Sequence, residues 1–115
     1  MDFATAATYI SGLSFLAFGI SCQTSDYMKR EFIRYGYARE RALTGYLQIA
    51  GGAGLLIGHY GAPLLAAAAA AGLGLMMAYG FGVRLYIRDT LWQATPAFLY
   101  AALNAYLTVH YGQQL

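Results

Sequence analysis

The residues of this chain best suited to chemistry lie on one face of its last apolar segment. Four polar side chains recur there at spacings of four, four and three residues, which places them on one side of a helix: Tyr100, Asn104, Thr108 and Tyr111. Asn104 falls near the middle of an uncharged run, where a polar group is costly unless it is hydrogen-bonded. We therefore expect Asn104 to point toward other helices.

Polar side chains in the other apolar segments fall at comparable depths. They are Gln48 and Tyr79, with Tyr46 nearby in sequence and Ser11 and Ser14 above them. One interpretation is hydrogen bonding between helices that fixes their rotation. The other is a polar pocket for an amphipathic ligand such as a quinone or a lipid headgroup, formed by Gln48, Tyr46, Tyr79, Tyr100, Asn104 and Thr108.

The argument for a metal or haem site in this sequence depends on two histidines. His59 and His110 fall near the same ends of the segments that carry them, so two imidazoles could ligate haem or copper. Histidines at such positions are more often simple interfacial residues, and Asp2 is the further acidic residue expected on that side. Cys22 is the one cysteine, which excludes an internal disulfide, and its first basic neighbour along the chain is Lys29.

The elements that position these residues follow from composition. The chain has 115 residues, of which 59% are hydrophobic and 10% charged. A soluble domain carries roughly 25% charged residues. This balance argues against a disordered chain, an ordinary soluble enzyme and a nucleic-acid binder, and it indicates an integral membrane protein. No phosphate-binding loop or hydrolytic triad is recognisable, so we expect a non-enzymatic protein with no nucleic-acid partner.

Four uncharged segments are each long enough to cross a bilayer, at about 3–22, 43–60, 62–83 and 91–111. Their apolar runs are continuous and rich in alanine and leucine, which favours helices over strands. Gly61 and Pro63 predict a tight turn between the second and third segments. The predicted fold class is therefore all-α, a single membrane domain built as a four-helix bundle.

The basic residues lie in two connecting segments, 23–42 and 84–90, which fall on the same side of a four-span protein. The positive-inside rule makes that side cytoplasmic and puts both termini outside, in what we expect to be a bacterial inner membrane. The candidates for contact with anionic lipid or a partner protein are Lys29, Arg30, Arg34, Arg39, Arg41, Arg84 and Arg88. A simple role as boundary charges remains an alternative for all of them.

The first basic segment predicts a short helix lying on the inner leaflet. Ser25 is a suitable N-cap, Asp26 suits the first turn, and Gly36 would end the helix. Apolar side chains recur at helical spacing between them, at Met28, Phe32 and Tyr35.

Small residues predict how the bundle packs. In lipid, helices approach each other through glycine and alanine. The proposed contact residues are Gly54 and Gly58 of the second segment and a four-residue repeat in the third, Ala66, Ala70, Gly74, Ala78 and Gly82; Gly12, Gly19 and Gly51 supplement them. Bulky residues of the third segment would then face lipid or a partner: Leu73, Leu75, Met76 and Met77.

Two stretches resemble the DoxX and DoxX-like family of small four-helix membrane proteins. The first is KREFIRYGYARERALTGYLQIAGGAGLLIG at 29–58, and the second is MMAYGFGVRLYIRDTLWQATPAFLYAALNAYL at 76–107. The resemblance implies a link to respiratory membrane complexes, such as quinol oxidase subunits and thiosulfate:quinone oxidoreductase, or to receptor-assembly chaperones among eukaryotic relatives.

The chain departs from the family pattern at two places. Many relatives carry a Lys at the end of the first span and a Glu inside the second, where this chain has Gln23 (or Cys22) and Gln48. Neutral amides keep hydrogen bonding and remove the buried charges. We expect a contact between Gln23 and Gln48, or polar contacts of each with other helices.

These observations favour an accessory or assembly subunit of a larger membrane complex, with a quinone-linked respiratory complex as one candidate and with other membrane subunits or a second copy of the chain as partners. A transporter is an alternative, although proton-coupled exchange needs an intramembrane carboxylate and the four segments contain no Asp or Glu. A haem- or metal-binding redox protein is the other alternative.

Overall fold

The computed structural model describes residues 2–115, and the regular structure in them is helical. Helix α1 spans Phe3–Thr24, α2 Asp26–Tyr35, α3 Arg41–His59, α4 Pro63–Tyr86 and α5 Leu91–Gly112. A 3-10 turn, Ala38–Glu40, leads into α3. The all-α prediction is confirmed.

Local sequence signals set the ends of the helices. The Asp2 carboxylate accepts a hydrogen bond from the Thr5 amide at the start of α1, and Thr90 and Gln93 form a capping box at the start of α5. The predicted helix in the first basic segment is confirmed as α2, with its side-chain cap at Ser25 and a left-handed Gly36 (φ 84°) at its end.

The four long helices within residues 2–115 run up and down, because each connection brings the next helix back against its neighbour. Helix α1 packs along α3, α3 along α4 and α4 along α5, while α1 and α5 meet less extensively. The ends of α1 and α4 and the starts of α3 and α5 therefore meet at one end of the bundle. Helix α2 lies across this end.

Two of the described helices, α1 and α4, are long and apolar enough to cross a membrane by length and composition. Helices α3 and α5 have 19 and 22 residues, or about 28 and 33 Å, which is close to the roughly 30 Å hydrocarbon core. Polar residues lower their mean hydropathy. Residues 2–115 therefore contain four long helices, of which two are candidate spans.

Helices α1 and α3 touch backbone to backbone through two glycine pairs at heptad spacing. Gly12 and Gly19 of α1 face Gly52 and Gly45 of α3. A Cβ on Gly52 would come within 2.7 Å of the Gly12 carbonyl oxygen, and one on Gly45 within 2.9 Å of the Gly19 carbonyl oxygen. This approach is open only to glycine.

Helices α3 and α4 pack through a knob and a small-residue contact. Leu73 inserts against Gly51, and a Cβ on Gly58 would lie 2.5 Å from the Ala66 backbone nitrogen. The expectation that Leu73 faces lipid is therefore wrong, since the side chain is 1% exposed.

The predicted seam of small residues on α4 is followed only in part. Ala66 and Ala70 are fully buried, and Gly74 lies beside Asn104 of α5. Ala78 is exposed, and Gly82 has no atom within 4 Å of the position a Cβ would take. Steps of four residues rotate by about 40° each on a helix with 3.6 residues per turn. The repeat therefore leaves the contact face before Gly82.

Candidate functional site

A cavity of about 600 Å³ lies where the four long helices end beneath α2. The C-terminal ends of α1 and α4 and the N-terminal ends of α3 and α5 form its walls. Its cover is formed by Tyr27, Met28, Phe32 and Tyr35 of α2. The cavity is large enough for a sizeable ligand.

Gln48 of α3 is the polar group inside this cavity whose bonding is incomplete. Its side chain is 5% exposed and lines the cavity. Its Oε1 is buried without a hydrogen-bond partner among the described residues. A buried oxygen in this condition costs about 1–3 kcal/mol, which a hydrogen-bond donor that reached it would recover.

The expected contact between Gln23 and Gln48 is not formed, and the alternative, polar contacts of each with other helices, holds for Gln23 only. The Gln23 side-chain amide donates to the Ala42 carbonyl oxygen at 2.8 Å, across the α1–α3 contact. Gln23 is thereby satisfied. Gln48 is turned into the protein, and residues 2–115 offer its Oε1 no such partner.

The inner wall of the cavity is apolar and adaptable. Phe18, Met76 and Met77 line it together with the Tyr100 ring. Phe18 and Tyr100 pack edge to face at 5.4 Å between ring centroids. The expectation that Met76 and Met77 face lipid is corrected, because both are partly buried at this wall. Methionine side chains accommodate varied apolar shapes.

Tyrosines and one carboxylate surround the mouth of the cavity. Tyr27 and Tyr35 come from α2, Tyr37 follows it, and Tyr79 comes from α4. The Tyr37 and Tyr79 hydroxyls are hydrogen-bonded to each other. The carboxylate of Glu40, just before α3, also lines the mouth.

Four charged residues tie α2 to the bundle beside the cavity. Arg34 donates to both oxygens of Asp89, at 2.7 and 3.1 Å, and to both oxygens of Glu31, at 2.7 and 3.0 Å. Arg84 bonds the same Asp89 at 2.8 Å and lies 3.8 Å from Glu31. We call these four residues the α2 clamp. Its two guanidinium groups balance its two carboxylates.

The α2 clamp shifts the ionisation of its members. Hydrogen bonds from Arg34 lower the pKa of Glu31 and of Asp89, whose side chains are 12% and 7% exposed. The same bonds raise the pKa of Arg34. Burial raises the pKa of the neighbouring Tyr35 to about 12, so its hydroxyl stays protonated under the Arg84 guanidinium, which lies 5.2 Å from the ring centroid.

Loss of the α2 clamp is expected to free α2 from the cavity mouth. Asp89→Asn removes the carboxylate that bridges Arg34 and Arg84, so the distance between spin labels at Ile33 of α2 and Leu85 of α4 should lengthen and broaden at pH 7. Both label positions are exposed. Arg30→Gln, which removes an exposed charge from α2 outside the clamp, should leave the distribution unchanged.

Acid should have the same effect on the unsubstituted clamp. Because the pKa values of Glu31 and Asp89 lie below their ordinary 4.5 and 3.8, the clamp is fully formed above those ordinary values. It is lost as pH falls through the lowered values. An unchanged label distance both in Asp89→Asn and well below pH 4 would show that the clamp does not hold α2.

The pocket residues expected from the sequence separate into two groups. Gln48, Tyr79 and Tyr100 line the cavity. Tyr46 projects from the outer surface of α3, and Thr108 lines a shallow groove between α4 and α5 while its hydroxyl donates to the Asn104 carbonyl oxygen. These two do not meet the other three.

Asn104 is fully buried but belongs to a row of hydrogen bonds that joins α1 to α5. Its Oδ1 accepts from the Ser11 hydroxyl at 2.8 Å, and its Nδ2 donates to the Tyr100 carbonyl oxygen. Similar bonds lie on either side, from the Tyr100 hydroxyl to Ser14 at 2.9 Å and between Thr8 and Tyr111 at 2.6 Å. The polar face of α5 thus mainly fixes the rotation of the helices.

The seven basic residues that were predicted to contact lipid or a partner protein lie in different environments. Arg34 and Arg84 are in the α2 clamp, and Arg41 donates to the Cys22 carbonyl oxygen. The exposed remainder is Lys29, Arg30, Arg39 and Arg88. Arg84 and Arg88 do not act as a pair, because Arg88 adopts a left-handed conformation (φ 66°) after α4 and its side chain is exposed.

The histidines lie at the other end of the bundle, away from the cavity. His59 Nδ1 is hydrogen-bonded to the Tyr111 hydroxyl at 2.8 Å, and His110 stacks on Tyr106. Residues 2–115 contain no group of three or more His, Cys, Asp or Glu that could hold a metal ion.

Several cavity residues were not predicted from the sequence to belong to the site. They are the mouth tyrosines Tyr27, Tyr35 and Tyr37, the carboxylate of Glu40, and the wall residues Phe18, Met76 and Met77. The concentration of tyrosine between residues 27 and 37 was an available signal. Glu31 and Asp89 are separated by more than fifty residues, and their sequence positions alone carry no signal of the clamp.

Comparison with known proteins identifies one family. The family model described as the DoxX-like family matches residues 5–107. Neither the curated proteins nor the solved structures contain a match to this chain. The matched range includes the glycine pairs, the cavity walls and the complete α2 clamp.

Proposed function

The chain belongs to the DoxX-like family, and from this premise we propose that it is a four-span membrane protein that holds an amphipathic molecule beneath α2. The resemblance inferred from the two sequence stretches is confirmed. The family assignment supports a small membrane protein, and the ligand, the partner and the orientation are our proposals.

Exposed aliphatic side chains on every long helix support four spans. Helices α3 and α5 carry them as α1 and α4 do, so all four present apolar surface outward: Ile10, Leu13, Ile20, Leu47, Ile57, Leu64, Leu75, Leu99 and Val109. Such a surface is stable in hydrocarbon and unfavourable in water. Helices α3 and α5 then contribute their polar residues mainly to the inside of the bundle.

The distribution of charge supports an orientation. The exposed cations Lys29, Arg30, Arg39 and Arg88 lie at the α2 end, which supports our proposal that this end faces the cytoplasm of a bacterial inner membrane, with both termini outside. Helix α2 then lies at the inner interface, where exposed cations contact anionic lipid phosphates. A C-terminal fluorescent reporter that folds only in the cytoplasm should therefore stay dark, and a periplasmic phosphatase fusion should be active.

The observation that carries the ligand proposal is a cavity with a methionine and aromatic wall that Gln48 also lines, with the Gln48 Oε1 buried and unpartnered beside it. The amide offers one polar anchor, and the wall formed by Phe18, Met76 and Met77 suits an apolar body. A quinone ring with its attached chain, or a lipid headgroup with its attached chain, likewise combines a polar group with an apolar body. With α2 at the inner interface, as proposed above, the cavity mouth would open at the depth where such molecules partition.

The proposed role is that of a non-enzymatic accessory or assembly subunit. The described residues lie almost entirely within the helices, and the outward aliphatic surface offers contact area to other membrane subunits. Holding a quinone or lipid at the inner boundary would then serve a larger membrane complex.

Purification in a mild detergent tests both parts of this proposal. The protein is extracted from native membranes, and co-eluting proteins and organic-extractable molecules are identified. We expect about one amphipathic molecule per chain together with a larger membrane protein. A chain that elutes alone contradicts the accessory role, and a chain that carries no small molecule contradicts the ligand proposal.

A further inference from the structure

We propose that the cavity selects an amphipathic ammonium, with Glu40 and the tyrosines of the mouth holding the positive headgroup. This inference rests on the proposed function and specifies the ligand of the same cavity. It follows from counting the charges at the mouth, where the lining includes Arg84 and Glu40 as its charged residues.

The charge of Arg84 is already balanced. Its guanidinium bonds Asp89 at 2.8 Å and lies 3.8 Å from Glu31, within a cluster of two cations and two anions. An anionic headgroup would have to displace one of these carboxylates to reach it. The mouth therefore offers little to a phosphate or carboxylate.

Glu40 has no such balance. Among residues 2–115 its carboxylate has no ion-pair partner within 4 Å, and it makes no side-chain capping bond although it occupies the N-cap position of α3. It is exposed at the mouth of the cavity. A positive group entering the cavity meets a carboxylate that is not held in an ion pair, although Arg39 and Arg41 are its neighbours in the chain.

Tyrosines accompany Glu40 in the lining of the cavity. Tyr27, Tyr37 and Tyr79 line the same mouth, and their π faces attract cations. Nearby Tyr35 already takes part in this kind of contact, with the Arg34 and Arg84 guanidinium groups 5.4 and 5.2 Å from its ring centroid. A carboxylate with several tyrosines is a typical environment for a substituted ammonium.

The deeper part of the cavity then determines which chemical groups the rest of the ligand must carry. Beneath the mouth, the wall of Phe18, Met76 and Met77 accepts an alkyl chain or ring system. Gln48 lines the cavity along it and carries an amide group that suits a hydroxyl, ester or amide of the ligand. The structure thus points to an ammonium attached to an apolar body, supplied either by a membrane lipid or by a free lipophilic amine.

Paired probes test this assignment on the full chain in nanodiscs of phosphatidylglycerol. Decyltrimethylammonium and decanol share one alkyl chain and differ in charge. We expect the ammonium to bind about tenfold more tightly to the protein than to Glu40→Gln, which is the effect of one screened charge pair. Decanol should not distinguish the two proteins.

The control variant is Asp26→Asn, which removes an exposed carboxylate on α2 that does not line the cavity. It should bind both probes as the parent does, and empty nanodiscs correct for partition into lipid. Competition by added phosphatidylethanolamine assigns the natural source to a lipid headgroup, and its absence assigns it to a free amine.

Two results would overturn the inference in distinguishable ways. If decanol binds as tightly as the ammonium, and Glu40→Gln changes the affinity for neither probe, the cavity is a ligand site that does not select for charge. If neither probe binds and Gln48→Met changes nothing, the proposed function fails together with the inference.

Discussion

Adding one methyl group at Gly52 is expected to destabilise the protein by about 2–3 kcal/mol, whereas the same methyl at Gly72 should be neutral or slightly stabilising. The Cβ of Gly52→Ala would lie 2.7 Å from the Gly12 carbonyl oxygen and 3.2 Å from the Leu16 amide nitrogen. Both are backbone atoms, so relief requires α1 and α3 to separate. Gly72 has no atom within 4 Å of its Cβ position.

Unfolding in mixed micelles of increasing sodium dodecyl sulfate measures this pair, with helix content followed by circular dichroism. The two variants change the same atom in the same kind of residue, so helix propensity cancels in their difference. Equal stability of Gly52→Ala and Gly72→Ala would mean that α1 and α3 do not approach through their glycines.

Replacing Gln48 is expected to raise stability and lower ligand binding together. Gln48→Met keeps the length of the side chain and removes a buried oxygen without a partner, so the ligand-free protein should gain about 1–2 kcal/mol of unfolding free energy. Retention of the bound amphipathic molecule should fall about tenfold or more. A group that costs stability in the free protein and contributes to binding is characteristic of a functional site.

Gln23→Met is the matched control. The amide of Gln23 already bonds the Ala42 carbonyl oxygen at 2.8 Å, so its loss should lower stability and leave ligand retention unchanged. The two substitutions are chemically identical and have opposite expected signs. If Gln48→Met also lowers stability and keeps the ligand, Gln48 has a structural partner and the binding proposal loses its anchor.

Features decided by neighbouring residues could be predicted from the sequence. The N-cap at Ser25, the apolar spacing after it and Gly36 predict α2, and Gly61 with Pro63 predicts the turn before α4. Asn104 was expected to turn inward because hydrocarbon has no hydrogen-bonding groups, and it is fully buried.

Features decided by helix neighbours could not be predicted in the same way. The contacts of Gly45 and Gly52 depend on α1 lying beside α3, which the spacing within α3 does not reveal. The same applies to Leu73, whose position opposite Gly51 turned an expected lipid contact into a buried knob.

The inner part of the candidate site was predicted, whereas Tyr79 was the one residue of its mouth that was predicted. Gln48, Tyr79 and Tyr100 were expected because polar groups are rare in apolar segments. The mouth consists of residues that are ordinary in an interfacial segment, so Glu40 and the tyrosines around it carried no distinguishing pattern. The role we propose for them depends on the α2 clamp, in which the other nearby charged groups are already paired with one another.

Photolabelling in intact membranes tests the central claim most directly, namely that the space beneath α2 holds an amphipathic ligand. A decyl alcohol carrying a diazirine is activated in membranes containing the protein or Gln48→Met, and the labelled peptides are mapped. We predict saturable labelling at Met76, Met77 and α2 that Gln48→Met abolishes. Labelling that follows only the outward aliphatic residues, without saturation and unchanged in Gln48→Met, would contradict the account.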